Sequence, residues 1–191
     1  MNLLAHSYLS FSDGQIVGNM IADYVRNADR EKLPTEVQQG IVIHREIDTY
    51  TDQHPITHKA KKVFQPLVRL YSGAFVDVSM DYFLANDITI HDETDWKKHT
   101  RHVYNTLWNY EEILPERFLH ILPKMEADDW LFNYRYDWGI KYSLQNVLNK
   151  AKYLEKDIPV FNSFMEEKDF LKECYDEFFP DLKSHIENLK V

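Results

Sequence analysis

The sequence predicts an all-α protein, and three observations carry that prediction. Apolar residues recur at helical spacing through most of the 191 residues. Only 5 Gly and 7 Pro punctuate them. No Asn-Gly or Asp-Gly pair sits between alternating strands, since Asp13-Gly14 has no such run beside it. At ordinary helix lengths this gives a single compact helical domain over residues 1–191, with about seven or eight helices.

Each element follows from its own signals. Val17–Val25 (VGNMIADYV) reads as a short apolar helix, and a long helix follows Pro34, a residue suited to a first helical turn. Within it, the β-branched run in QGIVIHREID admits a strand, but the 3.6-residue period extends further and decides for helix. Pro55 ends or kinks this element, so another helix is expected from about Ile56 to Tyr71. Ser72-Gly73 punctuates, and Ala74–Ala85 (AFVDVSMDYFLA) opens the next. Trp96–Tyr110, Pro115–Met125, Tyr136–Leu154 and Phe164–Phe179 complete the set, the last extending past Pro180 toward Leu189. There is no internal repeat and no linker long enough to divide domains.

Composition narrows the functional classes. Hydrophobic residues make up 44% and aromatic residues 14%, enough for a substantial core. The one cysteine, Cys174, cannot pair within the chain, and no CxxC exists to hold zinc, which fits a reducing cytoplasm. The N-terminal stretch MNLLAHSYLSFSDG lacks a basic region, and His6, Ser7 and Ser10 interrupt its apolar residues; neither a signal peptide nor a membrane span is expected. The net charge of -9 repels nucleic acid and anionic membranes, so neither is an expected partner. One basic stretch, His58–Arg69 (HKAKKVFQPLVR), carries four cations and no acid. A solvated helix face is its simplest explanation, and a docking patch for a polyanion is the other.

The chemistry concentrates in Gly40–His58, GIVIHREIDTYTDQHPITH. On a helical wheel with His44 at zero, Asp48 falls at about 40°, Thr51 at about 340° and Asp52 at about 80°, a single polar stripe. One and two turns earlier the same stripe holds Ile41 and Val37, so it passes from apolar to polar without turning to solvent. A stripe of that kind lines a cavity, because unpaired buried charge is too costly to keep. His44 and Asp48 at i and i+4 present an imidazole nitrogen beside a carboxylate oxygen, a spacing that suits a divalent metal. An ordinary His–Asp hydrogen bond is the competing explanation of that pair. Asp23 is a lone acid among apolar neighbours in GNMIADYV, and Asp77 and Asp81 stand at i and i+4 on an apolar helix. Such acids must be protonated, hydrogen-bonded or next to a cation, with a metal or Arg45 as the candidate.

The segments MNLLAHSYLS, GNMIADYV, GIVIHREIDTYTDQHP, DVSMDYFLA and YRYDWGIKYSLQNVL resemble, in order and spacing, the acyl carrier protein phosphodiesterases. The resemblance covers nearly the whole chain, and HR-x-I-D-x-x-T-D-x-HP is its most specific part. It implies an all-helical fold related to the HD-domain phosphohydrolases. It also implies use of a divalent cation, manganese preferred and magnesium the second candidate. The implied reaction removes 4'-phosphopantetheine from holo acyl carrier protein. The family's acidic and histidine pattern falls on His6, Asp23, His44, Arg45, Asp48, Asp52, His54, Asp77 and Asp81. At Tyr82 the family usually has histidine, which puts that position's role in doubt, because a phenol is a poor substitute for an imidazole ligand.

From that resemblance, Asp23, His44, Asp48, Asp81 and His6 are expected at the metal. Arg45 is expected to clamp the phosphoryl group, and His54, with Asp52 beside it, either to serve proton transfer or, equally well, to be a turn residue before Pro55. Asp77, Tyr82, Lys59, Lys62 and Arg69 are expected on the substrate side, the three cations offering a local basic surface to an acidic carrier protein. Trp138, Tyr142 and Phe83 are expected to line a groove for the pantetheine arm, though core packing explains them equally well. Two further readings stay open: a phosphohydrolase acting on a nucleotide or other small phosphodiester, and a non-catalytic helical interaction protein.

Overall fold

The computed structural model describes residues 1–189; residues 190 and 191, the end of the expected domain span, lie outside the described residues. The fold is all-α, with twelve α-helices and no strand among the described residues. Eight run nine residues or more: α2 (Asp13–Ile21), α4 (Thr35–Gln53), α5 (Pro55–Val68), α6 (Ser72–Ala85), α7 (Glu93–Asn109), α8 (Glu116–Ala127), α10 (Asp137–Lys150) and α12 (Lys168–Glu187). Four are short: α1 (Leu3–Tyr8), α3 (Asn27–Arg30), α9 (Trp130–Asn133) and α11 (Val160–Glu166). No helix among the described residues is long and apolar enough to cross a membrane.

The boundaries follow from local chemistry. α2 begins four residues before the expected Val17 because Ser12 caps it, accepting from the Gln15 amide at 3.3 Å, while Gln15 Oε1 accepts from the Phe11 amide at 2.9 Å. It stops at Ile21, and Asp23 falls in a separate 3₁₀ turn, Ala22–Tyr24. Pro34 is the residue before α4, extended at φ -54° and ψ 148°, rather than part of the first turn. Pro55 opens α5 at its first position, where the missing N–H costs nothing. The expected Phe164–Phe179 helix divides at Glu167, and α12 then carries Pro180 inside it. α1 is an element that the sequence pattern did not announce.

α2 and α4 make the closest crossing in the fold. A Cβ at Gly18 would run into the Val37 carbonyl, and one at Gly40 into the backbone of Gln15, so both glycines let the two backbones touch. That approach brings residues of α2 within reach of His44. α1 lies across α6, and α12 packs against α4, α5 and α6. Phe64, Phe75, Phe118, Phe164, Phe178 and Phe179 are fully buried in the core.

Gly18→Ala is therefore expected to cost about 1–3 kcal/mol, because the new methyl group meets backbone that cannot yield. Thermal unfolding followed by circular dichroism checks this; an unchanged midpoint would show that the crossing is looser than described.

Candidate metal centre

Three elements bring two imidazoles together. His6 of α1 and His44 of α4 stack with ring centroids 4.1 Å apart and planes 23° apart. Asn19 of α2 sits beneath both rings. Its Oδ1 lies 2.8 Å from His6 Nδ1 and 3.2 Å from His44 Nδ1, and its backbone oxygen lies 2.8 Å from His44 Nδ1. A carbonyl can only accept, so His44 carries its proton on Nδ1. The Asn19 amide nitrogen donates to the His6 carbonyl at 2.8 Å and to Ser10 Oγ at 3.1 Å, which turns Oδ1 toward the rings and makes His6 Nδ1 a donor as well. Both Nε2 lone pairs are thereby left facing away from Asn19, the arrangement that outer partners impose on metal-ligating histidines.

They face carboxylates. His6 Nε2 is 3.2 Å from Asp48 Oδ1, and His44 Nε2 is 3.3 Å from Asp48 Oδ2 and 3.5 Å from Asp23 Oδ1. His44 Nε2 is nevertheless buried with no aligned hydrogen bond. Lone pairs set against carboxylate oxygens are stable only with a positive charge between them, either a proton or a metal ion. His6, His44 and Asp48 each offer a ligand atom, all within 4.8 Å of one another. The residues thus fit a cation, offering two imidazole nitrogens and a carboxylate oxygen as donors.

The electrostatics agree. Burial pulls the His44 imidazole down, but the Asp23 and Asp48 carboxylates beside it outweigh burial and raise its pKa from 6.5 to about 9. Burial works against the charge on Asp48 too, yet the two imidazoles hold its carboxyl well below the usual range. His6 goes down, because its burial exceeds the help from Asp48. Asp23 is lowered by the His44 imidazole 3.5 Å away. One proton therefore serves the pair and resides on His44.

The cluster opens into a pocket of about 310 Å³ whose lining includes Thr51, Asp52 and Asp77 besides His6, Asp23, His44 and Asp48. The polar stripe of α4, His44, Asp48, Thr51 and Asp52, thus forms one wall. Thr51 Oγ1 is buried there without a partner.

Other expected site residues lie elsewhere. Asp81 is not at the cluster: it is fully buried under α1, accepting from the Asn2 amide at 3.1 Å and the Leu4 amide at 2.7 Å. It holds the N-terminal end of that helix, and burial raises its pKa to about 7 in spite of those donors. Asp77 pairs with the Met1 ammonium at 2.9 Å, so the repulsion between these two acids is relieved by α1 and not by a metal or Arg45. Arg45 is exposed and donates to Asn27 Oδ1 at 2.7 Å; it does not line the pocket, which corrects its expected role as phosphoryl clamp. His54 caps α5, accepting from the Ile56 amide at 3.3 Å, with Nε2 3.4 Å from Asp181. That geometry replaces its expected acid role with a structural one.

Asp52 stays at the pocket rim, bound to Lys61 at 2.8 Å. Tyr82 is not in the pocket: its hydroxyl donates to Asp137 at 2.9 Å, and Lys168 lies 4.6 Å above its ring. A histidine missing there leaves the cluster untouched. Lys59, Lys62 and Arg69 are exposed, with no ion-pair partner among the described residues. Arg69 adopts a left-handed φ of 50°, and Leu70 beside it is 100% exposed. Phe83 is core, whereas Trp138 and Tyr142 line a separate cleft. Asn19 is the residue that sequence reasoning missed; the one signal was a polar amide inside the apolar run VGNMI.

Fold and cluster together define a helical protein in which two stacked histidines and a carboxylate are placed so that they could hold a cation. A family model described as acyl carrier protein phosphodiesterase matches residues 1–182, and the chain belongs to that family. Similar curated proteins bearing that name come from Enterobacter sp. strain 638, 27% identical over 193 residues and the whole of both chains, and from Yersinia pestis, 26% identical over 199 residues and again the whole of both. One from Salmonella agona is 28% identical over 182 residues, 94% of each chain. No solved structure matches the chain.

The shared proton yields a prediction. A His44 pKa raised from 6.5 to about 9 adds stability that is complete below 6.5 and is lost as pH rises through about 9. Urea unfolding in chelator is expected to weaken across that window in the native protein and to weaken less across it in His44→Gln, where the Met1 ammonium still contributes. Manganese, competing with the proton, is expected to raise the thermal midpoint more at about pH 8.5 than at about pH 6. Equal shifts at the two pH values would contradict the cluster as the cation site.

Proposed function

We propose that the protein hydrolyses the phosphodiester joining 4'-phosphopantetheine to acyl carrier protein, releasing the apo carrier and 4'-phosphopantetheine. In this reading it acts as one domain in the cytoplasm and uses a divalent cation, manganese ahead of magnesium. The kinship with HD-domain phosphohydrolases that the resemblance implies belongs to the same reading. The observation that carries it is the convergence of two imidazole Nε2 atoms on Asp48 in a member of this family.

Held by His6, His44, Asp48 and Asp23, a divalent cation supplies Lewis acidity toward the phosphoryl group and toward water. The chain's own residues do the positioning. Asn19 holds both Nδ1 protons, so the one proton that a cation must displace is the one on His44 Nε2. Asp48 remains ionised at any physiological pH. Asp23, at the open side of the pocket and kept ionised by His44, accepts a hydrogen bond from the incoming water and orients it. At the rim, the Lys61 ammonium beside Asp52 provides the positive charge that Arg45 is turned away from providing. Lys59, Lys62 and Arg69 on and just after α5 offer the acidic carrier a local basic face despite the net charge of -9.

Incubation of the purified protein with holo carrier protein, with and without manganese, tests this by mass spectrometry. Loss of the prosthetic arm only with the metal is expected. Asp48→Ala is expected to abolish the loss while keeping the helical circular dichroism, and Tyr82→His to retain it. No metal-dependent loss in the native protein would overturn the proposal, and parallel cleavage of small phosphodiesters alone would favour a small-molecule substrate.

A further inference from the structure

A second cavity adjoins the first. A cleft of about 560 Å³ runs along α10, lined on one wall by Trp138, Tyr142, Asn146 and Val147 and on the other by the α8–α9 connection with Trp130. Asn2, Leu3 and Val147 line this cleft and the pocket of the histidine cluster alike, so the two cavities meet there.

The α10 face has a periodicity of its own. Trp138, Tyr142 and Asn146 follow one another at i+4 and form a continuous row, which spans about 12 Å between Trp138 and Asn146 at 1.5 Å per residue. Trp138 is 59% exposed and Tyr142 50% exposed, large apolar side chains that the core does not use. The Asn146 amide makes no hydrogen bond among the described residues. The opposite wall is not shaped for packing alone. Asp129 enters α9 with a left-handed φ of 41°, and Asp129 Oδ1 and Trp130 Nε1 are both buried without partners.

We propose that this cleft holds the arm of the substrate: a flexible chain with apolar methylene and methyl groups and amides, running from the phosphoryl group at His6, His44 and Asp48, past Asn2, Leu3 and Val147, to Trp138 and Tyr142. The assignment rests on the phosphopantetheine reading above and adds the residues that distinguish this ester from others. Trp138 and Tyr142 give the methyl-bearing part of the arm its apolar contact. Asn146 offers an amide a donor and an acceptor together. A small diester reaches the cluster without touching any of them, so the row determines specificity and takes no part in bond cleavage.

Selectivity between two substrates in manganese tests the assignment, comparing kcat/KM for holo carrier protein with that for bis(p-nitrophenyl) phosphate. Trp138→Ala and Asn146→Ala are each expected to lower the ratio about tenfold, mainly through KM for the carrier. Pantetheine, which lacks the phosphate, is expected to quench tryptophan fluorescence in metal-free native protein, and to do so weakly after Tyr142→Ala. An unchanged ratio in both variants, or no quenching by pantetheine in the native protein, would overturn the cleft assignment. If the native protein cleaves neither substrate, the phosphodiesterase reading fails, and the pantetheine titration alone then decides what the cleft binds.

Discussion

The grip of Asn19 on two imidazoles is the constraint on which the site depends. Each histidine has two nitrogens, and nothing in His6 or His44 alone decides which carries the proton. A single buried amide, with its own nitrogen committed to the His6 carbonyl and Ser10, makes both choices at once. The two lone pairs then meet Asp48, and a cation becomes the only way to reconcile four electron-rich atoms in a small space. Without a metal, a proton on His44 offsets the same carboxylates, and a cation bound there would compete with that proton.

That grip needs a tight helix crossing. Asn19 reaches His44 because Gly18 and Gly40 let α2 and α4 touch backbone to backbone. α1 must also lie where His6 stacks on His44, and Asp81 secures it by accepting the amides of its first residues. A buried carboxylate that costs stability on its own thus positions a ligand through the helix it holds, without touching the cation site.

What could be read from the sequence, and what could not, divides along the same line. The stripe of His44, Asp48, Thr51 and Asp52 was legible because all four residues share one helix, and helical geometry fixes their relative directions in advance. The lone acid Asp23 was legible as an anomaly in an apolar run. Asp81 and Asp77 showed the same anomaly, but their partners lie at the start of α1 and just before it, more than seventy residues away, and a six-residue helix gives little periodic signal. Asn19 escaped for a related reason: a neutral amide raises no charge alarm, and its partners are 13 and 25 residues distant. Arg45, 100° around α4 from His44, and Tyr82, one residue beyond Asp81, were placed in the site by resemblance; the direction of each side chain takes it elsewhere.

The central claim is that both imidazoles bind one cation through Nε2. Pulsed electron paramagnetic resonance of the manganese-loaded protein measures this directly, since each coordinated imidazole couples its nitrogen to the metal's spin. The account predicts nitrogen couplings from two histidines, with one set lost in His6→Ala. A spectrum without histidine nitrogen, from an ion held by carboxylates alone, would contradict it.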